Sequence, residues 1–413
     1  MHTKNQTAIL LTIIFLVLTS EFFIGCKKDQ VSKIPITITS ISPDSGAYST
    51  VVTIMGTGFS SSAGNNTVKF NGVTTTVQSA SSTSLTVIVP KGSGTGAVTV
   101  SANNQIATGP QFEYLYTYSL SLLAGNGQAG YHDGNGNAAS FNGINDLAAD
   151  VQGNIYVADY ENGRIRKVTA AGVVTTLAGG DSSGTADGAG SAAGFTSPAG
   201  LTFDKDGNLL VADIVINKIR KVTPAGVVTT IAGNGIAGHV NGNVSAAEFN
   251  YPSDVVADAN GNIYVTEYFG YDVRLISAGG VVSTIAGDTL AGFADGQGTA
   301  ALFDGPTSLI RDNQGNIYVV DYLNQHLRKV TPSGMVTSVK TIFDVFGLAI
   351  DTYNNIYMAA IGSVIKLSPD GSVHMVVDNS SNPNLEFYAI TIDPQGVFYV
   401  AGSDNNLYKI LAQ

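Results

Sequence analysis

Two carboxylates and a hydroxyl stand at matching places in a chain that repeats itself. Asp146, Asp254 and Ser308 occupy the position at which later or intervening copies carry Gly200, Gly347 and Ala389. Carboxylates gathered near one mouth would bind a divalent cation or pair with a cationic ligand. A solvated polar plug is the alternative. Close by in each copy come Asp159, Asp213, Glu267 and Asp321, with the aromatic residues Tyr160, Tyr268, Phe269, Tyr271 and Tyr322 beside them. Exposed rings next to polar donors suit a sugar or a peptide, and packing at an edge explains them as well. The chain has no Trp, so Tyr must supply any stacking. Basic residues follow at Arg164, Lys218 and His326, then at Arg166, Arg220, Arg274 and Arg328. The simplest expectation is a repeated Asp–Arg pair that staples each hairpin.

Other chemistry finds little support. Of five histidines, His132, His239, His326 and His374 fall at non-equivalent places, and a three-His metal site needs the loops to fold inward. No nucleophile–base arrangement is visible. Asp204-Lys205-Asp206-Gly207 has the look of a calcium loop but lacks the downstream Glu. It recurs as turns beginning at Asp150, Asp258, Asp312, Asp351 and Asp393, so an Asp capping its own turn is the better reading. Cys26 is the one cysteine, which excludes a disulfide within the chain and a cysteine-based zinc cluster.

The elements that must position these residues are read from the repeat. Asn154, Asn208, Asn262 and Asn316 each open a strand-like run and are spaced by 54 residues, as are Phe141, Phe195, Phe249 and Phe303. Shorter copies follow at Asn355-Ile356-Tyr357-Met358 and Val397-Phe398-Tyr399-Val400, which makes six units. Each unit reads as four strands. The second is apolar on both faces, as stacked blades require. This grammar resembles the NHL repeat over residues 118 to 413, which implies a six-bladed β-propeller. The chain ends in a third strand, Leu407–Ile410, and the repeat region begins with a lone fourth strand, Tyr118–Gly125. The N-terminal strand is therefore expected to complete the last blade and remove the open edge. Four long Gly-rich connections carry Ala-Ala-x-Phe-type apolar plugs and are expected to raise a wall on four blades. The two remaining blades would then form a lower side with a groove.

Ahead of the repeats, residues 35–114 hold about seven short strands. Asn71-Gly72 is a two-residue hairpin signal between Val68-Lys69-Phe70 and the next run. This segment resembles an IPT/TIG immunoglobulin-like domain, which implies a spacer or a binding platform. The chain opens with Lys4, an apolar run from Ala8 to Leu18, and Gly25-Cys26. That resembles a bacterial lipoprotein signal peptide, although Phe23 and Glu21 depart from the usual motif. The resemblance implies cleavage before Cys26 and acylation of its thiol.

The expected chain is thus all-β: a leader (1–25), Cys26 and a tether (26–34), an immunoglobulin-like β-sandwich (35–114), and a six-bladed β-propeller (115–413) closed by its own N-terminal strand. Net charge is −11 without a basic patch, so nucleic acid is not an expected partner. The functional expectation is a binding or scaffolding protein held on the membrane of the cell envelope, in the outer membrane of a Gram-negative bacterium. Its partner would be a glycan, a peptide or a protein. The alternative is a propeller enzyme with a site at the axis. NHL-type amidoglycolate lyases use histidine-held zinc, and lactonase-like propellers use Glu, Asn and Asp around a metal. Asn145, Asp146 and Asp254 imitate part of the second set. No cofactor is expected beyond a divalent cation at Asp146 and Asp254.

Overall fold

The computed structural model describes residues 34–116, 118–180, 184–378 and 385–412. The leader, Cys26 and the first part of the tether lie outside the described residues. No helix among the described residues is long and apolar enough to cross a membrane. The chain divides into two units between Glu113 and Tyr114.

The first unit is a sandwich of two antiparallel sheets. One runs Thr37–Ser42, Val51–Thr57, Ser84–Ile88, Val77–Ala80, and the other Ser45–Gly46, Gln105–Tyr114, Gly96–Ala102, Asn66–Phe70, Val73–Thr75. Alternation does the packing: Val52, Ile54, Val68, Phe70, Leu85, Val87, Val98 and Val100 are fully buried, and their chain neighbours face outward. Phe70 meets Phe112 edge-on, with ring centres 5.0 Å apart. The Asn71-Gly72 turn forms as expected. Both residues have positive φ, 44° and 84°, which a tight two-residue hairpin requires.

The second unit is a closed ring of six blades. Blade 1 runs from the axis outward as Ile144–Ala149, Ile155–Asp159, Arg164–Val168 and Val173–Ala178. The inner strands of the other blades are Pro198–Phe203, Pro252–Ala257, Pro306–Arg311, Val345–Ile350 and Phe387–Ile392. Each inner strand touches the next, and the last returns to the first. The expected closure is present: Tyr118–Ala124 pairs antiparallel with Leu407–Ala412 as the outer strand of blade 6.

An apolar cluster fills each joint between blades. The second strand supplies both of its joints, because its side chains alternate. Ile155 and Val157 pack toward blade 6, while Tyr156 and Ala158 pack toward blade 2. This is why the strand is apolar on both faces. The turns between first and second strands are held by their own Asp. Asp150 Oδ1 accepts the N–H groups of Gln152 and Asn154, and its Oδ2 accepts the Asn154 amide. The same pattern recurs at Asp204, Asp258 and Asp312.

The four long connections do not raise a wall. They run to the outer rim, where Gly134–Asn135, Gly188–Ala189, Gly242–Asn243 and Gly296–Gln297 each add a short fifth strand to their own blade. They then return inward and bury Phe141, Phe195, Phe249 and Phe303 completely. Each such ring contributes about 1.5–3 kcal/mol by leaving water. What bends the connection back is a buried arginine. Arg166 Nη1 donates to Asp159 Oδ2 (2.7 Å) and to the Ser140 carbonyl (3.0 Å). Its Nη2 donates to the His132 carbonyl (3.0 Å) and to Asp133 Oδ1 (2.7 Å). The guanidinium also lies over the Phe141 ring at 5.3 Å. Arg220 and Arg328 repeat all of these contacts in blades 2 and 4. Partial burial pushes the rim carboxyl of Asp133 up, but the bond from Arg166 and those from Thr176 outweigh it and hold it below the usual range.

Removing one guanidinium leaves the fully buried Asp159 without its counter-ion, and leaves its Oδ2 and the Ser140 carbonyl without the donor that Arg166 supplies. Arg166→Met is expected to lower the unfolding free energy of the propeller by about 3–5 kcal/mol, as measured by urea denaturation. A loss under about 1 kcal/mol would show that the clamp is not structural.

Candidate ligand site at the axial mouth

The inner strands carry an irregularity that creates the site. Each slips in register against its second strand around the axial position: between Ile144 and Leu147, Pro198 and Leu201, Pro252 and Asp254, and Pro306 and Leu309. The slip turns backbone N–H groups toward the axis, where no neighbouring strand can accept them. Side chains accept them instead. Asp146 Oδ2 takes the Leu201 N–H of the next blade at 2.7 Å. Asp254 Oδ2 takes the Leu309 N–H at 2.9 Å, and its Oδ1 takes its own neighbour Val255 at 2.7 Å. Ser308 Oγ takes the Leu348 N–H at 3.2 Å. Gly200 stands between the two acids. A Cβ built there would lie 2.2 Å from Asp254 Oδ1, so glycine alone lets the carboxylate cross the gap.

Asp146 and Asp254 form a floor. Above it opens a cavity of about 310 Å³, and below it a second of about 270 Å³ continues along the axis; both acids line both spaces. Burial pushes the Asp254 carboxyl up to about 7, although the backbone donors and Ser308 pull against it. Burial, and then the charge of Asp254, push Asp146 well above the ordinary range. Near neutral pH the floor therefore holds both a proton donor and a proton acceptor. Donors already occupy both oxygens of Asp254 and one of Asp146, and no histidine is among the lining residues.

The structure brings Asp146, Asp254, Ser308, Tyr160, Tyr268 and Tyr322 to this one mouth. It does not bring Tyr271, whose backbone sits in the left-handed turn (φ 57°) before the third strand of blade 3. Gly163, Asn217 and Gln325 hold the same turn in blades 1, 2 and 4. Tyr271 is thus a turn residue and no part of the wall. Two further rings complete the mouth, Phe346 and Tyr388, which precede the axial positions Gly347 and Ala389. Blades 1 to 4 carry Asn145, Ala199, Ser253 and Thr307 at that place, so aligning the inner strands would have revealed the pair. Tyr322, Phe346 and Tyr388 make a continuous aromatic arc, with ring centres 5.7 Å and 5.2 Å apart. Tyr388 donates its hydroxyl to Glu386 at 2.7 Å; burial and this bond push its pKa up to about 12.

The histidines do not converge. His132 stacks on Tyr131 in blade 1, and His326 contacts Phe293 and the Asn324 carbonyl in blade 4. Among the described residues, the group of metal-type donors brought together is His239, Glu267 and Asp272, away from the axial mouth.

Residues 35–114 match the IPT/TIG domain and residues 141–168 match the NHL repeat. Human NHL repeat-containing protein 2 is 31% identical over 134 residues, which are 30% of this chain and 18% of that protein. The Arabidopsis thaliana Protein SUPPRESSOR OF QUENCHING 1, chloroplastic, is 30% identical over 131 residues, 29% of this chain and 12% of that protein. These matches therefore span only a small part of either relative. Among solved structures, an auxiliary nutrient binding protein from Bacteroides ovatus superposes with a TM-score of 0.50 at 17% identity, covering 92% of this chain and 98% of that one. A gluconolactonase from Xanthomonas campestris superposes with a TM-score of 0.52 at 14% identity, covering 72% and 90%. At these identities the likeness is one of fold. By sequence match and by architecture, the chain joins an IPT/TIG domain to a six-bladed propeller whose residues 141–168 match the NHL repeat.

Proposed function

We propose that this protein is a lipid-anchored binding protein of the bacterial cell envelope whose propeller mouth takes a glycan. The cavity carries the reading: five rings, Tyr160, Tyr268, Tyr322, Phe346 and Tyr388, surround a floor of hydrogen-bonding acids. Its volume of about 310 Å³ falls in the range of small-ligand sites, roughly 300–1,000 Å³. Flat rings stack on the apolar faces of a sugar, while a carboxyl–carboxylate floor both donates to and accepts from hydroxyls. The Bacteroides ovatus neighbour, described as nutrient-binding, agrees with a binding role, but the weight rests on the cavity. The leader with Gly25-Cys26 supports the anchor, and the IPT/TIG domain would space the propeller from the membrane.

A second reading has one observation behind it. A carboxyl that titrates near 7 is suited to general acid–base catalysis, so a hydrolase or lyase acting at the axis is the alternative. Turnover of lactone or glycoside substrates that Asp254→Asn abolishes would favour it over binding alone.

Glycan-array screening followed by calorimetry is expected to find a saturable saccharide. Tyr322→Ala and Tyr388→Ala should each weaken it about two- to tenfold, because a stacked ring contributes about 0.5–1.5 kcal/mol. Binding of peptides alone, or no saturable ligand, would overturn the glycan reading. Labelled palmitate should enter the wild-type protein in cells and be absent from Cys26→Ser; equal labelling would remove the anchor.

The acid pair also predicts a pH signature. The native state holds these protons more tightly than the unfolded chain does. The pair therefore favours folding at low pH, and that contribution is lost as pH rises from the ordinary carboxylate range through about 7. Thermal melts between about pH 5 and pH 8 should show wild-type stability falling relative to Asp146→Asn/Asp254→Asn. Parallel curves would mean that the pair is not protonated.

A further inference from the structure

Blade 3 differs from its siblings in where it keeps charge. At the head of the third strand, blades 1, 2 and 4 carry Arg164, Lys218 and His326, whereas blade 3 carries Asp272. In the long connection, Asp133, Asp187 and Asp295 are replaced by Asn241. A carboxylate has in effect moved from the rim, where its siblings are 47–48% exposed, to the interior, where Asp272 is 2% exposed. Two buried acids, Glu267 and Asp272, now share one guanidinium. Arg274 Nη1 lies 2.8 Å from Glu267 Oε2, and its Nε lies 3.7 Å from Asp272 Oδ2.

The remaining atoms point at one another. Thr284 donates to Asp272 Oδ2 at 3.3 Å, but Asp272 Oδ1 has no hydrogen-bond partner, and neither does the buried Nδ1 of His239. One donor atom each from His239, Glu267 and Asp272 lies within 4.8 Å of both others. Glycine closes the back of this group: a Cβ on Gly270 would stand 2.8 Å from Glu267 Oε2 and 3.0 Å from Asp272 Oδ1. A buried carboxylate with an unpartnered oxygen calls for a positive species. The basic side chain used by the sibling blades is missing.

We propose that His239, Glu267 and Asp272 form a site for one divalent transition-metal ion of the zinc class. One imidazole nitrogen and two carboxylate oxygens, with a fourth position for water, make a donor set that zinc accepts. Zinc–ligand bonds of about 2.0–2.2 Å put neighbouring donors roughly 3–3.5 Å apart. The three side chains therefore need only a small closure. The ion sits on the Oδ1 side of Asp272, with Arg274 Nε on the other oxygen. It ties the long connection of blade 3 to the hairpin that presents Tyr268. This assignment is independent of what the axial mouth binds.

The purified full chain, stripped with chelator and re-equilibrated with zinc, is tested by elemental analysis after gel filtration and by calorimetry. One zinc per chain is expected. His239→Gln and Asp272→Asn should each raise the Kd at least tenfold. Cobalt should give visible absorption bands that both variants lose. His239→Gln removes a ligand without breaking a buried ion pair, so it reports on binding even if Asp272→Asn folds poorly. The proposal is overturned by the absence of stoichiometric zinc, by equal affinity in wild type and His239→Gln, or by loss of zinc in Asp254→Asn with retention in His239→Gln.

Discussion

A guanidinium buried at the end of a blade is the constraint on which the propeller's decorated face depends. Arg166 is fully buried, and an unpaired charge there would be very costly. The chain meets that cost by bringing two carboxylates and two carbonyls to one fork, the donor geometry that arginine has and lysine lacks. Those acceptors come from the second strand (Asp159) and from both legs of the long connection (His132, Asp133 and Ser140). A loop of some twenty residues is thereby bound to the sheet at three points, His132, Asp133 and Ser140. Blades 5 and 6 carry Ile365 and Tyr408 in the register position of the arginine, and they lack the long loop. Clamp and loop occur together: the loop supplies three of the four acceptors around the buried guanidinium.

The clamp leaves the axis open. With the long connections drawn to the rim, the mouth is bordered by short hairpins and by the heads of the inner strands. Asymmetry then decides its chemistry. Blades 1, 3 and 4 supply Tyr160, Tyr268 and Tyr322 from their hairpins, and blades 5 and 6 supply Phe346 and Tyr388 from their inner strands. The acids below do a structural task first: they accept N–H groups that the slipped register leaves bare. Burying them for that purpose also raises their proton affinity. A floor that keeps a proton near neutral pH is thus a consequence of how the ring is closed at its axis.

Departures from the repeat mark the places where this copy of a symmetric fold does something particular. Asp146 and Asp254 replace the small residues found at Gly200, Gly347 and Ala389. Asp272 and Asn241 exchange the charge pattern of blade 3. In a ring of near-equivalent blades, such substitutions survive only where a neighbour compensates. Asp254 has its N–H donors and Ser308, while Asp272 has Arg274 and Thr284.

Much of this was legible in the residues themselves. The 54-residue step, the two-faced apolar second strand, the unmatched first and last strands and the Asn71-Gly72 hairpin report on local backbone preference and on alternation. Both are properties of short segments, so one sequence determines them. The Asp–Arg staples and the axial place of Asp146, Asp254 and Ser308 followed from aligning the copies. The course of the long connections did not follow, because it depends on where a fork of five N–H donors finds its acceptors, not on loop composition. Tyr271 read as one more mouth aromatic, yet its turn takes it away from the cavity. Phe346 and Tyr388 stand one residue before the axial positions of blades 5 and 6, and closure of the ring brings them to the same mouth as the tyrosines of blades 1, 3 and 4. Proton affinity at the axis and the meeting of His239 with Asp272 belong to the tertiary structure alone. Both depend on burial and on distances between residues far apart in the chain, which spacing along it does not encode.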